Sequence, residues 1–237
     1  MHAFPFGETS TIFHCYTEEF GRITLMGKGI RKSKKNNRSN LLQPLFLLNL
    51  EIYFKDNSEI KLVKEISRSV PLNSIPENIV KSTQAIFLAE ILYRGVREEH
   101  ENRPLFTFLY NAVQYLDLID RPDPNFHLVF LCLLSRYLGF YPKNNFSETN
   151  RLFDPVNGIF IREYNGITDS DITVNYLLSK MLESEGFVFK DSGISRENRN
   201  KLLRLLLNFY EIHLEGMGNL KSVEVLTATF DSFSSGS

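Results

Sequence analysis

Over the first seventy residues apolar positions recur at every second place. Thr11 to Thr17 (TIFHCYT) and Arg22 to Met26 are β-branched and aromatic-rich, and the turn between them ends in Gly21, so two short strands are predicted. Phe46 to Lys55 alternates cleanly, with Leu48, Leu50, Ile52 and Phe54 on one face and Asn49, Glu51 and Tyr53 on the other. Asp56-Asn57-Ser58 is a turn signal, after which Ile60, Leu62 and Ile66 restart a strand. Consecutive strands joined by short turns, with no helical period between them, predict a small antiparallel sheet or barrel.

From Pro71 onward the period is helical. Ser74-Ile75-Pro76-Glu77 has capping-box spacing with an early proline and predicts a helix to about Arg97. Its middle, Ala85 to Tyr93, is apolar all round except for Glu90, as expected of a central helix, with Glu90 paired to Arg94 one turn on. Pro104 opens a second helix, with Leu105, Leu109, Ala112, Leu116 and Ile119 on one stripe. Asp123-Pro124 starts a third, Asn125 to Leu138, which stops at Gly139. Ser195 begins a long helix with Leu203, Leu207, Tyr210 and Leu214 in line, and Ser222 to Phe230 forms the last. Pro142 to Gly166, rich in Asn, Pro and Gly, is the least regular stretch. The expected class is α+β: a strand-rich domain over 1–72, a helical domain over 73–231, and a frayed Ser-rich tail over 232–237.

Composition adds a charge asymmetry. The formal net charge is only −1, yet residues 1–72 carry 11 basic and 7 acidic side chains while the remainder carries 16 and 21. Six of those eleven bases lie between Lys28 and Arg38 with no acid among them. An apolar fraction of 43% with 20 Phe and 10 Tyr supplies a core and excludes global disorder. Cys15 and Cys132 stand far apart and are read as reduced thiols. The start shows no secretory pattern, and the longest apolar run, Leu128 to Leu134, falls far short of the roughly 20 residues that span a bilayer. A soluble, cytoplasmic protein with no membrane contact is expected.

Enzyme signatures are missing. Gly27-Lys28-Gly29 lacks the G-x-x-x-x-G-K-[ST] frame, and G-x-S-x-G does not occur. The five histidines never fall at i, i+4, and there is no C-x-x-C, so neither a metal site nor any other cofactor is expected. Asp169-Ser170-Asp171 opens like a calcium loop, but Thr173 and Val174 occupy later ligand and turn places, which leaves two acids at a helix start. A hydrolase using Glu90 or His127 ranks far behind a binding module. Lys28, Arg31, Lys32, Lys34, Lys35 and Arg38, spaced by Gly, Ser and Asn, read either as a solvated loop or as a phosphate-binding arm on a small barrel.

Several stretches resemble, in order and spacing, the bacterial recombination mediator RecO family. They are Gly7-Glu8-Thr9-Ser10, Tyr16-Thr17-Glu18-Glu19-Phe20-Gly21-Arg22, Gly27-Lys28-Gly29-Ile30-Arg31-Lys32-Ser33-Lys34 and Leu42-Gln43-Pro44. Phe87-Leu88-Ala89-Glu90-Ile91-Leu92, Tyr137-Leu138-Gly139-Phe140-Tyr141-Pro142 and Leu220-Lys221-Ser222-Val223-Glu224-Val225-Leu226 continue the likeness over nearly the whole chain. The resemblance implies an oligonucleotide-binding (OB) β-barrel followed by an all-helical domain, and no catalytic turnover. It further implies binding and annealing of single- and double-stranded DNA in DNA repair and recombination, close to the nucleoid. The implied protein partners are RecR and the C-terminal tail of single-strand binding protein, with RecA loaded as the outcome. An RNA-binding barrel with a helical appendix is the alternative. The partner tail is acidic and ends in an apolar residue with a free carboxylate. Its receptor is expected near Asn125 to Leu138, whose one full positive charge is Arg136.

Two departures from the family pattern follow. Relatives carry several residues before the position of His2, so the expectation is either a start lying upstream of Met1 or a shortened first strand with a poorly closed barrel seam. Many relatives also hold a cysteine-rich zinc insertion after Leu138-Gly139-Phe140, whereas Lys143 to Phe160 contains no cysteine, so the insertion is expected to be lost. Metal analysis of purified untagged protein is expected to find far less than one zinc per chain, with a melting curve unchanged by chelator. Stoichiometric zinc lost together with stability would contradict that reading.

Overall fold

The computed structural model describes residues 1–31, 38–54, 58–162, 168–189 and 193–233. Five strands come first: β1 (His2–Phe6), β2 (Ser10–Thr17), β3 (Gly21–Gly27), β4 (Leu48–Tyr53) and β5 (Ile60–Arg68). They form one sheet in the order β1-β2-β3-β5-β4. Alternation along the strands sends Ala3, Phe13, Cys15, Ile23 and Leu25 to the core, which Ile66 and the β4 residues Leu48, Leu50 and Ile52 complete. The class is α+β, and the strand order is that of a five-stranded, partly open Greek-key barrel.

Two features differ from the sequence expectation. The sheet is mixed, because β3 and β5 run parallel with Thr24, Leu25 and Met26 opposite Ile60, Lys61 and Leu62. Period-two alternation fixes which side chains face the core and carries no information on strand direction. The barrel is also not closed among the described residues. β1 pairs only with β2, and no ladder joins it to β4. Pro5, which has no N–H to give, thus sits on a strand with a single partner. A cavity of about 680 Å³ is walled by Cys15 of β2, Ile23 of β3 and Leu50 and Ile52 of β4, with Phe106 and Tyr110. The turn expected at Asp56-Asn57-Ser58 lies for the most part outside the described residues.

Helices follow: α1 (Ser74–Glu77), α2 (Ile79–Gly95), α3 (Arg103–Leu118), α4 (Phe126–Tyr137), α5 (Asp169–Leu182), α6 (Arg196–His213) and α7 (Ser222–Phe233). The single helix expected from Ser74 is instead two, broken at Asn78. The Asn78 side chain accepts the Val80 and Lys81 N–H groups and so starts α2. The α1 amides are capped from far along the chain: the Asp117 carboxylate accepts N–H from Asn73, Ser74 and Ile75 at 2.8–3.1 Å. Lys81, buried, donates to the Ser74 hydroxyl and the Asp117 carbonyl, which ties α1, α2 and α3 together.

The chain divides into two compact units, Met1–Leu118 and Ile119–Ser237. Strands give way to helix near residue 72, but the first unit continues through α3. In the second unit α4 is buried from Phe126 to Ser135. Tyr210 of α6 donates to the Leu131 carbonyl at 2.6 Å, and Arg199 donates to Asn125 Oδ1 and the Ile194 carbonyl. Asn125, at the head of α4, makes no side-chain cap of its own, since its oxygen serves Arg199. The irregular 142–166 stretch holds a two-stranded hairpin, β6 (Leu152–Asp154) with β7 (Ile159–Ile161). Asn145 brackets it by donating to the Phe160 carbonyl and accepting its N–H, both at 2.8 Å, while Phe146, Phe153 and Phe209 surround the Phe160 ring and its neighbours. Asp169 and Asp171 open α5, where Thr168 and Asp171 form a reciprocal capping box. Residues 232–233 belong to α7, and 234–237 lie outside the described residues.

His127 on α4 gives the second unit a pH dependence. It is buried, stacked on Phe230, and held neutral: burial first, and Arg199 second, lower its pKa to about 3 from the ordinary 6.5. Because the folded value is depressed, the unfolded chain takes up a proton first as pH falls below about 6.5. Stability contributed by the neutral ring is therefore complete above that pH and declines by up to about 1.4 kcal/mol per pH unit towards pH 3. Chemical denaturation at pH 7 and pH 4.5 is expected to show a smaller pH effect in His127→Gln than in the wild type. Equal pH effects in both proteins would contradict this.

Candidate nucleic-acid interface

The basic segment leaves the sheet at the end of β3 and returns at a 3-10 turn, Arg38–Leu41. Both roots are anchored. Ile30 is buried in the sheet core, and Leu41 and Leu42 pack against the same cluster. A Cβ at Gly27 would collide with the Ile30 side chain, so a residue without one lets Ile30 fold back beneath the strand. Gly29 has φ +70°, a conformation that favours glycine and reverses the chain. Arg31 then donates its backbone N–H to the Thr9 carbonyl at 3.1 Å and its guanidinium to the Gly7 carbonyl at 3.3 Å. The segment therefore starts against the β1–β2 turn, with Lys28 and Arg31 exposed.

Of the six cations expected to hold phosphates, the structure places Lys28 and Arg31 together at this root. Lys32, Lys34 and Lys35 lie outside the described residues, and Arg38 is placed only as backbone in the 3-10 turn. The cavity beside β2, β3 and β4 has the opposite character, with apolar walls and Glu18 and Glu19 on its lining, and does not suit a polyanion. Among the described residues no group of three or more His, Cys, Asp or Glu could hold a metal ion. No helix among them is long and apolar enough to cross a membrane.

Arg22 does work that sequence reasoning did not give it. Its guanidinium donates to the Tyr93 carbonyl at 2.8 Å and the Val96 carbonyl at 3.1 Å, and lies 4.9 Å from the centre of the Tyr93 ring. It thus satisfies the last carbonyls of α2 with a cation where the helix dipole is negative. Its N–H donates to the Glu98 carbonyl at 2.7 Å. Gly21 beside it has φ +62°, and a Cβ there would strike the backbone oxygens of Glu98 and His100. The pair fixes the edge of β3 to the end of α2. Burial, with Arg22 and His2 adding, lowers the His14 pKa, and Thr24 Oγ1 lies 3.1 Å from His14 Nδ1.

Arg136, the cation expected to hold a partner carboxylate, is exposed with its guanidinium 4.4 Å from the centre of the Tyr141 ring. The apolar residues of α4 beside it are buried from Phe126 to Ser135, so this helix offers them to no pocket. The expected receptor helix is a core helix.

Truncating Arg22 to Ala is expected to destabilise the first unit by roughly 2–3 kcal/mol, since two charge-assisted hydrogen bonds and a cation–π contact are lost. Lys at this position restores little, because a single ammonium cannot fork to both carbonyls. A denaturation midpoint unchanged in Arg22→Ala would show that the clamp carries no energy.

Comparison with known proteins agrees with this architecture. Residues 1–69 match the family described as Recombination protein O N terminal, and residues 76–148 match Recombination protein O C terminal. The chain is 32% identical over 234 residues to the DNA repair protein RecO of Azobacteroides pseudotrichonymphae, covering 98% of this chain and 96% of that protein. It is 35% identical over 233 residues to the protein of the same name from Bacteroides fragilis, with the same coverage. The Flavobacterium johnsoniae protein of that name is 35% identical over 232 residues, 97% of this chain and 96% of its own length. A likeness at this level across both units shows the family, and the chain belongs to the recombination protein O family.

Proposed function

We propose that the protein is a DNA-binding recombination mediator of DNA repair, which binds and anneals DNA and turns over no substrate. The supporting observation is the root of the basic segment, where Lys28 and Arg31 are exposed, Arg31 is bonded to the β1–β2 turn, and Ile30 and Leu41 anchor the two ends in the sheet core. A cationic segment on a small barrel tracks the phosphate backbone of single strands and of duplexes without reading sequence. Family membership supports partnership with RecR and with the tail of single-strand binding protein, and a part in loading RecA near the nucleoid. For the tail carboxylate Arg136 remains the proposed cation, with the apolar part of that pocket supplied by residues other than Phe126 to Ser135.

The test is a titration of fluorescent oligonucleotides over a range of salt. If Lys28, Arg31, Lys32, Lys34, Lys35 and Arg38 each displace a counterion, log affinity for single strands falls against log salt with a slope of roughly −4. Replacing Lys32, Lys34 and Lys35 with Ala is expected to reduce that slope by about 2. The tail peptide, added in a second arm, is expected to bind the wild type and to bind Arg136→Ala on the order of tenfold more weakly. An unchanged slope in the triple variant removes the arm, and a preference for RNA over DNA redirects the whole reading.

A further inference from the structure

The turn that closes the β6–β7 hairpin reads Asp154-Pro155-Val156-Asn157-Gly158. Asparagine before glycine is the dipeptide most prone to lose its side-chain amide, because a residue without a side chain leaves its backbone nitrogen open to approach. The glycine nitrogen gives up its proton and bonds to the asparagine Cγ, the Cγ–Nδ2 bond breaks, and ammonia leaves a five-membered succinimide. Water then opens the ring at either carbonyl to give aspartate or isoaspartate. Water is the only co-reactant. The pair Asn-Gly occurs twice in the chain, at 157–158 and at 165–166, and the second lies outside the described residues.

Cyclisation needs a free Gly158 N–H and an Asn157 side chain that swings back over it. One residue withholds both. The Gly158 N–H donates to the Asp154 carbonyl at 2.9 Å, and Asn157 Nδ2 donates to Asp154 Oδ2 at 2.6 Å. The other carboxylate oxygen of Asp154 accepts the Val156 N–H at 2.9 Å and the Asn157 N–H at 3.4 Å. The attacking atom is thus bonded to the main chain of Asp154 and the attacked group to its side chain. These bonds, that of the Asn157 side chain first, hold the Asp154 pKa below the ordinary carboxylate value, so the lock is charged at neutral pH. Asn157 itself is exposed and in reach of water.

Gly158 is buried with φ +63°, and a Cβ there would lie 3.5 Å from the Phe209 ring of α6. Its carbonyl accepts the Lys143 N–H at 2.8 Å, and His213 Nε2 lies 3.0 Å from the Pro155 carbonyl. The turn therefore fastens the hairpin to α6 and to the segment after α4. Aspartate at 157 would set a second carboxylate where Asp154 Oδ2 now receives an N–H. Isoaspartate would add a methylene to the main chain beside the glycine that fits against Phe209. Neither product suits the closed turn. We infer that Asn157 is a fold-gated deamidation site: Asp154 preserves the amide while the hairpin is closed, and opening of the turn commits it irreversibly to the acid. Such local openings occur well below the free energy of global unfolding. The inference is independent of the DNA-binding reading.

Trypsin cuts after Arg151 and Arg162, so the peptide 152–162 carries Asn157 and is free of the second Asn-Gly pair. The full chain is incubated at mildly alkaline pH, folded or in urea, and the amide and acid forms of that peptide are measured by mass spectrometry. The folded protein is expected to deamidate Asn157 on the order of tenfold or more slowly than the unfolded chain. Asp154→Asn keeps the main-chain carbonyl and the size of the side chain but removes the oxygen that accepts the Asn157 amide. It is expected to speed the folded reaction several-fold, with a melting curve taken alongside to show that it is folded. Amide exchange at Gly158, read by NMR in the wild type, needs no variant and is expected to be slow. Equal rates in folded and unfolded wild type, free exchange at Gly158, or a wild-type rate in folded Asp154→Asn overturns the lock.

Discussion

The first unit depends on one close approach. The reversal between β2 and β3 lies against the backbone that follows α2, at a separation that only a glycine at position 21 permits. Arg22, the next residue, then turns that proximity into a bond by feeding two protons to the terminal carbonyls of α2. One dipeptide therefore sets the relation of sheet to helix. Tyr93, held against Arg22, brings the helix end beside His2 and His14 on the outer face of the sheet. The core face of the same strands is occupied by Phe13, Leu25 and Ile66.

Charge is placed to match. Ile30 and Leu41 root the basic segment in the sheet core, and Lys28 and Arg31 at its start are exposed. In the second unit the polar groups are turned inward. Arg199, Asn125 and His127 are buried and satisfy or abut one another around the head of α4. Such a cluster fixes the helix in place and offers nothing to a ligand. The hairpin β6–β7 is stapled in the same spirit, by the Asn145 amide and a cluster of phenylalanines.

How much of this was legible in the sequence depended on how local each signal is. β2, β3 and β4 followed from alternation, and the end of α4 at Gly139 and the start of α6 at Ser195 followed from cap residues that act within one turn. The basic arm was visible as six cations without an acid. What escaped was non-local. Asp117 caps α1 from more than forty residues away, a partnership that no window of sequence contains. The parallel pairing of β3 with β5 leaves no mark in the alternation of either strand. β1 was obscured by Pro5, which argues against a strand unless an edge is known to be unpaired. Arg22 was legible as the first residue of a strand, and its role at the end of a helix more than seventy residues on was not.

The central proposal is that the basic segment 28–38 holds DNA. Photo-cross-linking of a bromodeoxyuridine-substituted single strand, with the adducts located by mass spectrometry, tests it most directly. The account predicts adducts within residues 28–38 or on the strands that root them. Adducts confined to residues 119–237 would contradict it.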